Sequence, residues 1–271
     1  MLCIKKYIIR IILKIAFFLY LFNSALFAEI DFNIIIPISS SYTFSDMKLT
    51  TLGMSDSLVN TRTLKDNIGI EIGILSQIGY NFNTKNSIFK SIGIMAEIGY
   101  ILSPIYTSYE FYDNSYTLNV NHNILFHTLN IGAIQKFYII DKLSLGIGGG
   151  IRIPFSANLY GQNDGSPLPF NNGKYDYNYI KSLFKRSIIP YIKFSLEGYY
   201  FFNDFVSLVI GAHFTYSMGM EYNADKLNEY ISYIGTGMKW YHSYSYSSIE
   251  TGLTIGVSIG RKGSNDIKRI E

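Results

Sequence analysis

The feature that most constrains this chain is an alternation of apolar and polar side chains with a period of two, repeated in eight segments from residue 29 onward. Successive side chains of a strand point to opposite faces, so this pattern describes strands with two unlike sides. In the first segment Ile30, Phe32, Ile34, Ile36 and Ile38 share one side, and Asp31, Asn33 and Ser39 take the other. The second, 67–82, sets Ile68, Ile70, Ile72, Ile74, Ile78, Tyr80 and Phe82 against Asn67, Gly69, Glu71, Gly73, Gln77, Gly79 and Asn81. Six more follow at about 88–106, 124–139, 143–156, 188–201, 205–222 and 248–260. After residue 28 no stretch approaches the roughly 18 uncharged apolar residues of a membrane-spanning helix.

The connections alternate as well. Residues 83–87, 140–142 and 202–204 are short and rich in Asn, Asp, Lys and Ser, as hairpin turns are. Residues 45–66, 107–123, 157–187 and 223–247 are long. Strands joined by a tight turn must keep their apolar sides together. Apolar positions are even-numbered in the second and third segments, odd in the fourth and fifth, and even in the sixth and seventh. Phase changes only across long connections.

Alternation leaves open which side faces inward, since a soluble lipocalin-like carrier would put the apolar side inside. Three observations favour apolar outside. Of the charged residues within the eight spans, Asp31, Glu71, Glu97, Lys136, Arg152, Lys193, Glu197, Glu221 and Glu250 share the polar side. Only Lys90 is on the apolar side, near a turn, where its ammonium can snorkel to headgroups. An eight-stranded barrel is also just wide enough to be filled by side chains, so about fifty bulky groups cannot fit within it. Finally, Tyr80, Phe82, Phe137, Tyr200 and Phe205 gather at the short-turn end. Tyr42, Phe44, Tyr100, Tyr106, Phe126, Phe155, Tyr216 and Tyr222 gather toward the long-loop end. Two aromatic girdles around an aliphatic band match a bilayer.

The first 28 residues read as a secretory signal peptide: basic Lys5, Lys6, Arg10 and Lys14, an apolar run from Ile15 to Phe22, and small residues at Ala25 and Ala28. Its removal leaves 19 basic and 20 acidic residues, a formal charge of −1, and withdraws the compositional support for nucleic-acid binding. The only cysteine, Cys3, leaves with it, so no disulfide scaffold or cysteine metal site is expected. Charged residues make up 16% of the chain, against roughly 25% in soluble domains, which again suits a membrane setting. The expected organisation is signal peptide 1–28, barrel 29–260 and polar tail 261–271.

With its signal, eight two-faced strands, short turns and four long loops, the chain resembles the small outer-membrane barrels of the OmpA and OmpX type. The resemblance covers nearly all of the mature chain and rests on architecture rather than on a diagnostic motif. It implies an all-β, eight-stranded antiparallel up-and-down transmembrane barrel in an outer membrane, with short turns in the periplasm and long loops outside the cell. The sequence departs from that pattern in two ways. Where the family ends its last strand with a C-terminal aromatic, Ile259-Gly260 is followed here by a polar tail. Pro37, Pro154 and Pro190 also fall inside strand spans, where proline donates no ladder hydrogen bond; all are read as lying toward the outer ends.

Glu71, Glu97, Arg152, Lys193, His213 and Glu250 all fall about 8–12 residues from the periplasmic ends, which places them in one central layer. Pairing across 202–204 is expected to set Lys193 opposite His213, and pairing across 83–87 to make Glu71 and Glu97 diagonal neighbours. Lys136 and Glu197 form a second layer nearer the periplasm. The expectation is a salt-bridged plug; a narrow gated ion path is the alternative. His213-Phe214-Thr215-Tyr216-Ser217 loosely resembles the His-x-Ser arrangement of lipid A deacylases, but Thr215 stands where serine is needed and the segment faces the lumen. His127, on the apolar side near the outer rim, reads as interfacial, and no His/Cys cluster has metal-ligand spacing. No catalytic residue, cofactor or metal is assigned.

The long loops remain as contact surfaces. Tyr160, Tyr175, Tyr177 and Tyr179 occupy one, and Tyr230, Trp240, Tyr241 and Tyr244 another. Tyrosine offers rigid amphipathic contact area, which suits protein or glycan ligands. The expected protein is a non-enzymatic, monomeric surface barrel bathed in outer-membrane lipid. Its expected roles are envelope structure, external binding, or both.

Overall fold

The structure, a computed structural model, describes residues 29–50, 58–59, 62–63, 67–84, 88–113, 116–162, 173–203, 205–223, 225–226 and 241–260. The expected signal peptide, the polar tail, Tyr230 and Trp240 lie outside them. Eight long strands form the wall: β1 (Glu29–Thr50), β4 (Asn67–Asn83), β5 (Ser91–Asp113), β6 (Tyr116–Ile140), β7 (Leu143–Gln162), β9 (Ile189–Phe201), β10 (Val206–Glu221) and β11 (Tyr241–Ile259). Each pairs antiparallel with its chain neighbours, and β11 pairs with β1 to close the barrel. Three short strands, β2 (Leu58–Val59), β3 (Arg62–Thr63) and β8 (Gly173–Asp176), extend β1, β5 and β7 at the long-loop end. A short helix of about two turns, α1 (Tyr177–Leu183), follows β8 and is capped by the Asp176 carboxylate, which accepts from the Tyr179 N–H at 2.9 Å.

The apolar sides face outward. Ile70 is 71% exposed, Leu145 43% and Ile255 48%, whereas Lys136 and Glu250 are wholly buried. Polar side chains sheathed by a wall of bare isoleucine would be untenable in water. In a bilayer the same arrangement removes the apolar surface from water and hides the charges.

Strands run further than the sequence pattern suggests. Outward apolar positions of β5 extend from Ile92 to Leu102, about the 9–11 residues that a tilted strand needs to cross. Its ladder with β6 nevertheless continues without interruption to Asp113↔Tyr116. Most of the expected loop 107–123 is therefore a tall hairpin above the bilayer. Alternation ends where lipid ends, but backbone pairing does not.

Several expectations are corrected by turn geometry. The first hairpin closes through Thr84 N–H donating to the Lys90 carbonyl at 3.0 Å, so its turn is longer than 83–87. Glu97 consequently faces Gln77, and Glu71 and Glu97 are not diagonal neighbours. The hairpin between β9 and β10 is also wider, held by Asn203 Oδ1 accepting from the N–H groups of Phe205 (2.9 Å) and Val206 (2.8 Å). Lys193 therefore faces Thr215, and His213 faces Ser195.

Near the end of β10 the register shifts between Ser217 and Met220, where Gly219 has φ +72°. This bulge turns Met220 and Tyr222 inward and leaves Glu221 outside in an ion pair with Lys185, so Glu221 is not on the lumen side and Tyr222 not in the outer girdle. Phe126 is likewise inside, since even-numbered residues of β6 point inward. Pro154 sits at a register shift near the outer rim, but Pro37 stands mid-strand. The β1–β4 ladder is interrupted beside it, between Ile35↔Leu75 and Ile38↔Ile72. Lys90, half exposed, pairs with Asp141 across the periplasmic rim.

Candidate functional site

The lumen holds the ionised groups that the strand phases point inward. At its centre Arg152 of β7 lies between Glu71 of β4 and Glu250 of β11. Its Nη1 and Nη2 each donate to both carboxylates, at 2.8–3.0 Å. Such two-pronged pairing, with both carboxylates sharing the Nη1–Nη2 pair, is open to a planar guanidinium and not to an ammonium. One cation serves two anions here, and hydroxyl donors supply the rest: Ser103 to Glu71 at 2.7 Å, and Ser217 and Ser248 to Glu250 at 2.8 Å each. The Tyr191 ring lies 5.4 Å from the guanidinium carbon.

A second cluster surrounds Glu97. Its Oε2 accepts from Lys193 Nζ at 2.9 Å and Gln77 Nε2 at 2.8 Å, and its Oε1 from Asn130 Nδ2 at 3.1 Å and the Tyr191 hydroxyl at 3.2 Å. Tyr191 reaches this position because Gly132 and Gly150 face it; a Cβ on Gly132 would stand 2.2 Å from its phenolic oxygen. Nearer the periplasm, Lys136 Nζ donates to Glu197 at 2.7 Å, and the Tyr199 hydroxyl donates to the same carboxylate at 2.7 Å. Below them Asp31 accepts from Ser258 at 2.8 Å and from Asn81 and Tyr138 at 3.3 Å.

The central layer expected from strand counting is thus two clusters facing one cavity, with His213 on its wall. That cavity measures about 10 Å³, room for the centre of roughly one water molecule. His213 and Thr215 are buried in the lumen, and Ser217 is held by Glu250, so none of the three meets lipid. Asn130 and Tyr191, which complete the network, were legible from phase alone: both fall on the inward side of their strands.

An aromatic cap lies above the charges. Phe126, Phe184, Tyr222 and Tyr246 are all buried, with ring centroids 4.3–6.5 Å apart. The segment after α1 is bound to the end of β10. Lys185 N–H donates to the Glu221 carbonyl at 2.8 Å, and Asn223 N–H to the Leu183 carbonyl at 2.7 Å. Ile180 of α1 is buried as well. The cap escaped the sequence pattern because α1 follows no strand alternation; Asp176 ahead of Tyr177–Leu183 was the available sign of a helix start.

At the outer rim His127 lies between Tyr100, whose hydroxyl is 2.6 Å from Nδ1, and Asn158, whose amide is 3.1 Å from Nε2. This is an interfacial position, as expected. Of the expected loop contacts, Tyr175 and Tyr179 stack at 4.3 Å, and Tyr177 stands exposed on α1. Tyr160 lies on β7, and Tyr241 and Tyr244 on β11. Among the described residues, no group of three or more His, Cys, Asp or Glu side chains is arranged to hold a metal ion.

A closed antiparallel wall with a bare aliphatic belt, aromatic edges and enclosed charges is a transmembrane β-barrel, and its location is an outer membrane. No family model matches the sequence, and no curated protein does. Among solved structures the chain is similar to Ail, the attachment invasion locus protein of Yersinia pestis, solved in complex with the heparin analogue sucrose octasulfate. The two are 12% identical over 83% of this chain and 99% of Ail, with a TM-score of 0.33. It is similar to the outer membrane protein OprG of Pseudomonas aeruginosa, at 10% identity over 84% and 94% of the two chains, TM-score 0.37. It is also similar to the outer membrane protease OmpT of Escherichia coli, at 9% identity over 85% and 96%, TM-score 0.37. Assignment to a membrane barrel rests on the belt and the enclosed charges rather than on these likenesses. Unboiled protein is therefore expected to migrate differently from boiled protein in a detergent gel; identical migration would contradict a closed barrel.

Proposed function

We propose that this protein is a non-enzymatic surface barrel whose sealed wall carries its outer strand ends and loops as contact surfaces for external proteins or glycans. The observation that supports this reading is the double closure of the lumen. A water-sized cavity between charge clusters lies below an aromatic cap, leaving little room for solute transit or for substrate near His213. A surface role also suits the tall β5–β6 hairpin and the tyrosines on β8 and α1.

The test has two arms. Reconstituted in planar bilayers, the full chain is expected to give no unitary conductance; reproducible openings would favour the narrow-channel alternative. In nanodiscs, the same protein is expected to bind immobilised glycans or extracellular proteins. Replacing Tyr175, Tyr177 and Tyr179 with serine should weaken that binding while leaving the heat-dependent gel shift intact. Unchanged binding after the triple replacement would remove this loop from the proposal.

A further inference from the structure

Between its aromatic edges the outer wall is largely apolar, and among the described residues it carries a single amide. Gln135 points outward from β6, is exposed, and makes no hydrogen bond among the described residues. Its cross-strand neighbours are Ile94 and Ile147. Other polar groups on the belt, such as Ser40, Ser76 and Thr251, are hydroxyls short enough to bond their own strand's backbone. A primary amide reaches further and has two donors and an acceptor to satisfy. Phe137, one of the aromatic residues at the short-turn edge, is the next outward residue below it, so the amide sits just inside that edge. An unpaired amide in hydrocarbon carries a penalty of several kcal/mol.

The surface beside Gln135 is built of small residues. Ala96, Ala133 and Gly149 are directly cross-strand from one another on β5, β6 and β7, one outward position above it. The isoleucines around it would hold a neighbour away, whereas over this row a second wall can come close, as small residues permit in membranes.

We propose that two copies of this chain pair in the bilayer through the β5–β6–β7 face, with their Gln135 amides hydrogen-bonded to each other. The occupant is fixed by depth and chemistry. A twofold axis along the membrane normal keeps every residue at its own depth, so Gln135 meets Gln135 and each amide both donates and accepts. A head-to-tail contact would leave the amide against aliphatic side chains, because no second amide lies on the described belt. This replaces the monomer expected from the sequence and is independent of what the loops bind.

The full chain can be tested in a Cys3→Ser background. Oxidation of membranes carrying Gln135→Cys is expected to yield a disulfide-linked dimer, and Ile210→Cys, on the β10 face, is not. In detergent micelles, sedimentation equilibrium should show reversible dimers of the wild type. Association should be at least tenfold weaker for Gln135→Leu and lost for Ala133→Phe. Both variants place apolar groups in lipid and should retain the heat-dependent gel shift. A wild-type chain monomeric at all protein-to-detergent ratios would overturn the proposal. So would Gln135→Leu dimerising as the wild type does, or cross-linking at Ile210 equal to that at Gln135.

Discussion

Replacing Arg152 with methionine is expected to destabilise the barrel by about 3–5 kcal/mol, the range for removing one partner of a buried ionic group. The guanidinium makes all four of its contacts to Glu71 and Glu250 in an enclosed lumen. Without it, two carboxylates would repel each other with only hydroxyl donors beside them. Arg152→Lys should recover part of the loss, since an ammonium restores the charge but cannot hold two carboxylates by paired parallel bonds. The triple change Arg152→Met, Glu71→Gln and Glu250→Gln should recover more, because it leaves no unpaired charge. The measurement is the denaturant midpoint of protein folded into lipid vesicles, read by the gel shift. Equal midpoints for wild type and Arg152→Met would mean that water reaches this cluster freely.

Where the residues point was legible from phase, and which residues meet was not. Glu71, Glu97, Lys136, Arg152, Lys193, Glu197, His213 and Glu250 are all inside, as alternation requires of any barrel with an apolar exterior. Lys136 and Glu197 pair as a separate layer, as expected from their shared depth. Contacts between strands depend on register, and register depends on turns. Two hairpins wider than their polar residues suggested moved Glu97 opposite Gln77 and Lys193 opposite Thr215. Gly219 did the same within a strand, since one bulge exchanged the faces of Glu221 and Tyr222. Above the bilayer both faces meet water or protein. The period-two signal fades there, which is why the β5–β6 hairpin and the helix bearing Ile180 read as plain loops. Gln135 was hidden by its own strand's pattern, one amide in an otherwise apolar series.

The assignment to lipid can be tested by charge at chosen depths. Ile255 lies mid-belt, between Ile36 and Ile210 on the neighbouring strands. Ile255→Arg should destabilise the folded barrel by about 2–4 kcal/mol, whereas Phe205→Arg, beside a periplasmic turn, should cost about 0–1 kcal/mol. The gradient is more informative than either value. A water-soluble barrel with the same coordinates would gain solubility from an outward arginine at both positions, since each side chain is already exposed. Only a hydrocarbon layer with a centre and two edges makes the penalty depend on height along the strand. A flat response across Ile255 and Phe205 would remove the lipid, and with it the reason for placing this chain in a membrane.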